Sequence, residues 1–171
     1  LSSFLFAYLY TATKFSIAYN GLGEIFVFLY FGVIASWGTY YLQTLQNNLD
    51  ALLIGMIAGA LNSSMLIINN IRDYDTDLLS NKKTLIVLFG KNFGKIELLF
   101  INMFSYIGLY LLVDSLAKSN QLYLFLPLFF PLVLFLYKIL NHVDFLNKKA
   151  LPIYSLYLVL FTVLLSYVIF L

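Results

Sequence analysis

Long stretches without a charged residue recur along this chain and limit the folds that are open to it. They run over Ile25 to Leu49, Ala51 to Ile71, Leu98 to Val113, Ser119 to Tyr137 and Ala150 to Leu171. A helix of about 20 apolar residues crosses a bilayer, and four of these five stretches are long enough alone. Because only 11% of the residues are charged, against about 25% in soluble domains, lipid is the expected solvent. The sequence therefore predicts an all-α, polytopic transmembrane helix bundle.

Two observations near charged residues set the predicted number of spans. The short stretch Leu98 to Val113 is long enough if Asn92 to Glu97 extend it into the interface, where Lys95 can reach the headgroups. Thirteen uncharged residues precede Lys14, which is fewer than the roughly 20 needed, so a partial span is expected from Leu1. The prediction is six spans in one domain over residues 1–171, and the chain is expected to be a fragment cut inside a helix.

The basic residues are divided unequally between the two ends of this predicted bundle. If successive spans alternate in direction, only Lys118 lies at the end opposite the other nine Lys and Arg residues. Cytoplasmic loops carry an excess of Lys and Arg. We therefore expect a multi-pass protein of the inner (cytoplasmic) membrane, with its Asp-rich loop in the cytoplasm and its C-terminus outside. The nine residues are Lys14, Arg72, Lys82, Lys83, Lys91, Lys95, Lys138, Lys148 and Lys149.

Composition also excludes several kinds of chemistry. The chain has no cysteine, which rules out disulfides, thiolate zinc sites and cysteine nucleophiles. A net charge of +2 without a continuous basic stripe argues against nucleic acid as a partner. Gly55 and Gly59 in one span, and Pro127 and Pro131 in another, are typical of helix packing and kinking in membranes.

Three carboxylates within five residues lie at the mouth of a predicted span. Asp73 and Asp77 are four residues apart, so in a helix both project from one face, with Cβ atoms about 5–6 Å apart. A hard divalent cation offsets the repulsion between them, and Mg²⁺ is usually held by one or two carboxylates together with phosphate oxygens. Asp75 points off that face and is a less certain third metal ligand.

Cationic and amide side chains surround these carboxylates. Arg72, Lys82 and Lys83 supply the donors that hold a phosphate group. Asn69 and Asn70 precede the loop inside the hydrophobic depth, where polar residues are usually functional or interhelical, and they are candidates to orient a ligand or the carboxylates. The residues alone leave open a second interpretation, a solvated loop in which acids and bases neutralise one another.

The polar loop resembles a known motif. Asn-Asn-Ile-Arg-Asp-Tyr-Asp-Thr-Asp at 69–77, followed by Asn-Lys-Lys-Thr-Leu at 81–85, is similar to the second aspartate-rich motif of the UbiA superfamily of intramembrane aromatic prenyltransferases. Within it, the chain resembles the menaquinone branch, the 1,4-dihydroxy-2-naphthoate polyprenyltransferases. Tyr-Asn-Gly-Leu-Gly-Glu at 19–24 and Tyr-Tyr-Leu-Gln at 40–43 resemble further segments of that branch. Asn81 stands where the branch has glycine, and asparagine tolerates a left-handed turn.

The resemblance implies a fold and an activity. In that family nine helices enclose a cavity, with aspartate-rich motifs after the second and sixth helices, so the six spans here would be helices four to nine. The implied reaction transfers a polyprenyl group from polyprenyl diphosphate to 1,4-dihydroxy-2-naphthoate, with loss of carbon dioxide and diphosphate, and leads to demethylmenaquinone. Mg²⁺ would be the cofactor, with Asp73 and Asp77 as catalytic metal ligands and Glu24 beside the substrate. The first motif would belong to the N-terminal remainder of the same protein, and without it the chain is expected to be inactive.

Other interpretations stay open at this stage. A prenyltransferase for another aromatic acceptor, a non-catalytic remnant and a transporter subunit are the alternative functions, although transporter determinants are expected near the bilayer midplane. Glu24 also suits an ordinary helix start, where the macrodipole favours an acid. His142, with Asp144 nearby, is expected to be solvated. Interhelical hydrogen bonds are the expected role of Gln43, Asn62, Ser63 and Ser64.

Overall fold

The computed structural model describes residues 20–142, 145–146 and 149–170, and this part of the chain is helical without strands. Five helical segments are long and apolar enough to cross a membrane, which confirms the predicted all-α polytopic bundle. The partial span expected from Leu1 lies outside the described residues. The elements are α1 Gly23–Thr44, α2 Leu49–Arg72, α3 Tyr74–Leu79, α4 Leu85–Phe89, α5 Lys91–Ser115, a 3₁₀ segment Ser119–Phe125 continued by α6 Leu126–Asn141, and α7 Ala150–Phe170.

Local signals in the sequence explain several helix ends. The Asn48 side chain accepts a hydrogen bond from the Ala51 backbone N–H at 2.9 Å, which caps the start of α2. Thr84 caps α4 in the same way, with its Oγ1 3.2 Å from the Val87 nitrogen. Gly90, at φ +91°, separates α4 from α5. Because α5 begins at Lys91, the short apolar stretch from Leu98 is extended as predicted.

Glycines allow α1 and α2 to approach closely. A Cβ atom added to Gly32 would lie 2.3 Å from the Gly59 Cα, and one added to Gly55 would lie 2.9 Å from the Val33 Cα. No side chain fits between backbones at that distance, so the predicted packing role of Gly55 and Gly59 is confirmed. The central part of α1, Leu29–Gly38, is π-helical and contains Gly32.

Contacts between helix ends show that neighbouring spans run in opposite directions. Ser115 Oγ, at the end of α5, donates to Asp50 Oδ1 at the start of α2 at 2.6 Å. Lys118 Nζ donates to the Val168 carbonyl near the end of α7 at 2.9 Å, at the same end of the bundle. Lys95 Nζ reaches the Leu140 carbonyl at 2.7 Å at the other end, which also holds the Asp-rich loop and is called the motif end below.

A polar network links three helices inside the apolar core. Asn102 of α5 donates through Nδ2 to Ser64 Oγ of α2 at 3.1 Å, and its Oδ1 accepts from Tyr154 Oη of α7 at 2.8 Å. All three side chains are buried. Ser64 therefore has the interhelical role predicted for it, whereas Asn102 and Tyr154 were not singled out by the sequence. Ser63 and Asn62 also bond between helices, to the carbonyls of Glu24 and Phe31.

Candidate diphosphate site at the motif end

Asp73 lies at the junction between α2 and α3, where helical hydrogen bonding continues. The Asp73 N–H donates to the Asn69 carbonyl at 2.9 Å, and the Asp77 N–H donates to the Asp73 carbonyl at 2.8 Å. These are the four-residue bonds of an α-helix. The backbone thus makes one helical turn from Asp73 to Asp77, although Asp73 itself, at φ −88° and ψ 7°, separates α2 from α3. The shared face of the two carboxylates stays a prediction.

Each carboxylate of the loop is paired with a cation. Arg72 binds Asp73 with both of its arms, Nε to Oδ1 at 2.7 Å and Nη2 to Oδ2 at 2.9 Å. This hydrogen-bonded ion pair holds the pKa of Asp73 below its ordinary value, although partial burial opposes the shift and Lys82 adds a smaller favourable charge. Lys82 Nζ lies 2.9 Å from Oδ2 of Asp77, whose side chain is only 12% exposed. The Arg72 and Lys82 cations thus stand directly beside the two predicted metal ligands.

Asp75 has different surroundings. Its side chain is 77% exposed and pairs with Lys91 of α5 at 2.8 Å, whose ammonium also lies 5.0 Å from the centre of the Tyr74 ring. Asp75 therefore leaves the side of the loop that Asp77 and Lys82 occupy, as the helical spacing predicts, and its role as a third metal ligand stays a prediction. Sequence reasoning did not foresee Lys91 as its partner.

The turn after α3 returns the chain to Asp77. Asn81 has φ +55°, in the left-handed region, so asparagine performs here the turn expected of the glycine it replaces. The Lys82 N–H donates to the Asp77 carbonyl at 3.0 Å, and its side chain closes the ion pair described above. Lys83 is exposed, and its predicted contact with phosphate stays a prediction.

The two asparagines have separate roles. Asn69 Oδ1 accepts a hydrogen bond from Arg72 Nη2, which fixes the guanidinium beside Asp73. Asn70 is 2% exposed and donates through Nδ2 to Glu24 Oε1 at 2.7 Å. The structure therefore places Glu24, 46 residues away in sequence, against the helix that carries the aspartates.

Backbone packing also joins the two segments. Gly21 has φ +72°, and a Cβ atom there would lie 3.2 Å from the Lys83 carbonyl. Ser63 Oγ of α2 donates to the Glu24 carbonyl at 3.0 Å. The segment that begins α1 thus lies beside the loop that ends the Asp-rich motif. Tyr19, the first residue of that resemblance, lies outside the described residues.

Glu97 was not predicted as a site residue. It lies in the first turns of α5, is half-buried and interacts electrostatically with Glu24. The signal that could have found it is a carboxylate within a span, because such groups are rare unless functional. His142, by contrast, is exposed as predicted, and Asp144 lies outside the described residues.

A magnesium site at the aspartate loop stays a prediction. The described residues contain no group of three or more His, Cys, Asp or Glu side chains placed to hold a metal ion. Two carboxylates one helical turn apart nevertheless match the usual Mg²⁺ arrangement, in which phosphate oxygens and water complete the coordination shell. Arg72 and Lys82 stand where they would neutralise such a phosphate group.

Two cavities open along the bundle. A cleft of about 330 Å³ is lined by Asn69, Asn62 and Leu151 among others, and so reaches the residue that holds Arg72. A larger cavity of about 630 Å³ between α5 and α6 has mainly apolar and aromatic walls, including Tyr106 and Leu136, and none of the loop aspartates lines it.

Comparison with known proteins identifies the family of the chain. The profile of the UbiA prenyltransferase family matches residues 1–165. The chain belongs to this family. No solved structure gives a significant match.

Several curated relatives are named 1,4-dihydroxy-2-naphthoate octaprenyltransferase. The protein of Mycobacterium leprae is 44% identical over 84 residues, which cover 49% of this chain and 29% of the relative. That of Haemophilus influenzae is 34% identical over 123 residues, covering 70% of this chain and 40% of the relative. The protein of Escherichia coli is 37% identical over 90 residues, which cover 52% of this chain and 29% of the relative. The chain thus spans less than half the length of the relatives it matches.

Proposed function

We propose that this protein transfers a polyprenyl group from polyprenyl diphosphate to 1,4-dihydroxy-2-naphthoate, a step of menaquinone biosynthesis. The observation that carries the proposal is the loop in which Asp73 and Asp77, one turn apart, each stand beside a cation at the end of a membrane bundle. Membership of the UbiA prenyltransferase family and the names of the relatives support it.

The proposed reaction balances without an oxidant. The bond between the allylic carbon and the diphosphate oxygen breaks, and its electron pair leaves with the diphosphate. The aromatic ring supplies the pair for the new carbon–carbon bond, and the carboxyl group leaves as carbon dioxide, which restores aromaticity. The first product is therefore the hydroquinone form of demethylmenaquinone.

The residues of the motif end would act on the departing diphosphate. Arg72 and Lys82 donate to its oxygens and stabilise the negative charge where it develops, and exposed Lys83 extends this cationic surface. Asp73 and Asp77 would hold Mg²⁺, which would neutralise the diphosphate and assist its departure. Asn69 fixes Arg72 in position. The lipid-facing bundle keeps water away from the allylic cation.

The distribution of basic residues indicates on which side of the membrane this site lies. Among the described Lys and Arg residues, Lys118 is the one at the end opposite the motif end. We infer from this charge bias that the protein lies in the cytoplasmic (inner) membrane with the aspartate loop in the cytoplasm.

The proposal is tested on membranes that carry the full-length gene product. They are incubated with a polyprenyl diphosphate and either 1,4-dihydroxy-2-naphthoate, 4-hydroxybenzoate or homogentisate, with and without Mg²⁺. We expect prenylated product from the dihydroxynaphthoate, and its loss when EDTA removes the metal. Preferred prenylation of another acid would redirect the proposal to that acceptor, and absence of transfer to any of the three would refute it.

A further inference from the structure

A second polar cluster lies beneath the aspartate loop, and it consists of hydrogen-bond acceptors. Asn70 is 2% exposed, and its Oδ1 has no hydrogen-bond partner in the described part of the chain. Glu97 Oε2 is likewise buried without a partner. Glu24, 5% exposed, accepts from Asn70 Nδ2. Leaving such groups unpaired in an apolar interior is costly, so the cluster is suited to a ligand that brings donors.

Helix packing brings these three groups together. Glu24 begins α1, Asn70 is near the end of α2 and Glu97 is near the start of α5. One turn further along α1, Phe28 packs against Phe104 of α5 with ring centres 6.0 Å apart.

α2 packs against both α1 and α5. Its Asn70 bonds to Glu24 of α1, and a Cβ added to Gly94 of α5 would lie 2.9 Å from the Ile71 side chain of α2. Glu97 is three residues after Gly94, so it lies beside the same end of α2 as Asn70 and Glu24.

The chemistry of the cluster distinguishes between ligands. Two carboxylates and an amide oxygen repel an anion, so this is not a second phosphate site. Among the described residues no third acid joins them to make a metal cluster. A neutral group that donates hydrogen bonds, such as an aromatic hydroxyl, would satisfy the unpaired oxygens without adding charge.

The position suits the acceptor of the proposed reaction. Asn70 precedes Asp73 by three residues, which in a helix corresponds to about 4.5 Å along the axis. A ring bound by Glu97 and Asn70 would therefore lie directly below the diphosphate site, within reach of the allylic carbon. Its carboxylate would be repelled by the two glutamates and directed toward Arg72 and Lys82.

We propose that Glu97, together with Asn70 and Glu24, binds the 4-hydroxyl group of the aromatic acceptor, which is the hydroxyl that is not adjacent to the carboxylate. In 1,4-dihydroxy-2-naphthoate the 1-hydroxyl can donate to the neighbouring carboxylate, whereas the 4-hydroxyl needs an acceptor from the protein. This assignment rests on the proposed function, and it makes Glu97 a specificity-determining residue of that site.

The test measures binding of 1,4-dihydroxy-2-naphthoate and of 1-hydroxy-2-naphthoate, which lacks the 4-hydroxyl, to the purified full-length protein by calorimetry. Wild-type protein should bind the dihydroxy compound about 10-fold more tightly, the effect expected when a ligand hydroxyl satisfies a buried acceptor that is otherwise unpaired. Glu97→Gln should weaken its binding by about the same factor while affinity for polyprenyl diphosphate stays unchanged. Asp114→Asn, which alters an exposed carboxylate at the far end of the same helix, should change neither affinity.

Equal affinity of wild-type protein for the two naphthoates would overturn the proposal, whether or not the variant folds. So would a Glu97→Gln variant that binds the dihydroxy compound normally, or that weakens naphthoate and diphosphate alike. A parallel prenyl-transfer assay separates the two proposals. Selective binding without transfer would refute the proposed function alone, and transfer with an unchanged KM in Glu97→Gln would refute the hydroxyl assignment alone.

Discussion

Three aspartates of identical chemistry differ in their surroundings within a single loop. Asp77 is buried against Lys82, Asp73 is held by both arms of Arg72, and Asp75 extends into solvent toward Lys91. An exposed ion pair contributes little, whereas a partly buried carboxylate beside a cation is positioned for a charged ligand. The local environment therefore predicts that substitution of Asp73 or Asp77 costs more activity than substitution of Asp75.

Replacing Asp73 or Asp77 by Asn keeps the size of the side chain and removes the charge that would hold Mg²⁺. We expect each variant of the full-length protein to lose about 10²–10³ in kcat, the usual cost of removing an electrostatic contact to developing charge. Prenyl-transfer kinetics in membranes measure this, and added Mg²⁺ should restore part of the activity. Asp75→Asn is the matched control and should cost much less. Normal turnover in both Asn variants would show that the catalytic site does not lie in this loop.

The hydroxyl group of Tyr154 allows a test of the polar network between helices. Its buried hydroxyl donates to Asn102 Oδ1 at 2.8 Å, so Tyr154→Phe leaves that amide oxygen without its donor. We expect a loss of about 0.5–2 kcal/mol in the free energy of unfolding, the range for hydrogen bonds between membrane helices. Thermal melting in detergent measures it. Tyr167→Phe, at an exposed position, is the control, and an equal effect in both variants would contradict the network's role.

At this scale the sequence predicts what is local and misses what is distant. The helical hydrogen bond between Asp77 and Asp73 follows from the local sequence, and Asn81 has the left-handed turn that the resemblance to a glycine position implied. The bond between Asn70 and Glu24 joins residues 46 positions apart, so no local rule gives its partner. Glu97 was missed because its unpaired oxygen shows only when three helices are packed.

Among the helices, the close approach of α1 to α2 depends on glycine. Gly32→Ala would place a Cβ 2.3 Å from the Cα of Gly59, a backbone atom, so one of the two helix backbones must shift. We expect a loss of about 1–3 kcal/mol or more, as for other overpacked sites, and a lower melting temperature in detergent.

Gly38→Ala in the same helix is the matched control. Its added Cβ would meet nothing closer than a side-chain atom of Ile34 at 3.8 Å, so alanine should be neutral or slightly stabilising through its higher helix propensity. If both variants melt at the wild-type temperature, the helices are not packed as the structure has them.

Helix existence was predictable, but helix bounds were less so. The uncharged stretch Leu98 to Val113 marks only the part of α5 that tolerates no charge, whereas the helix itself is Lys91–Ser115. The hydropathy of a sequence reports which residues lie in lipid, whereas the ends of a helix depend on local features such as the turn at Gly90. The π-helical centre of α1 left no signal in the sequence that we recognised, apart from the glycine at its contact.

For the bundle as a whole, charge and packing describe the same arrangement by independent means. Alternating spans were inferred from the order of the uncharged stretches, and this alternation put Lys118 at the end opposite the other basic residues. The contacts of Lys118 with Val168 and of Lys95 with Leu140 place the two lysines at opposite ends of the described bundle. The Lys and Arg bias predicts which end faces the cytoplasm, and no contact within the described residues bears on that orientation.

That orientation can be tested because residues 1–171 contain no cysteine. Ser80, exposed at the tip of the aspartate loop, and Gln46, exposed between α1 and α2 at the opposite end, accept single cysteines in a cysteine-free full-length background. An impermeant maleimide added to intact cells should label Gln46→Cys, and should label Ser80→Cys only after the membrane is opened. The nine-to-one distribution of basic residues is the reason, because moving them outward opposes the charge bias that sets orientation. Labelling of Ser80→Cys in intact cells would contradict the predicted orientation and the cytoplasmic location proposed for the aspartate loop.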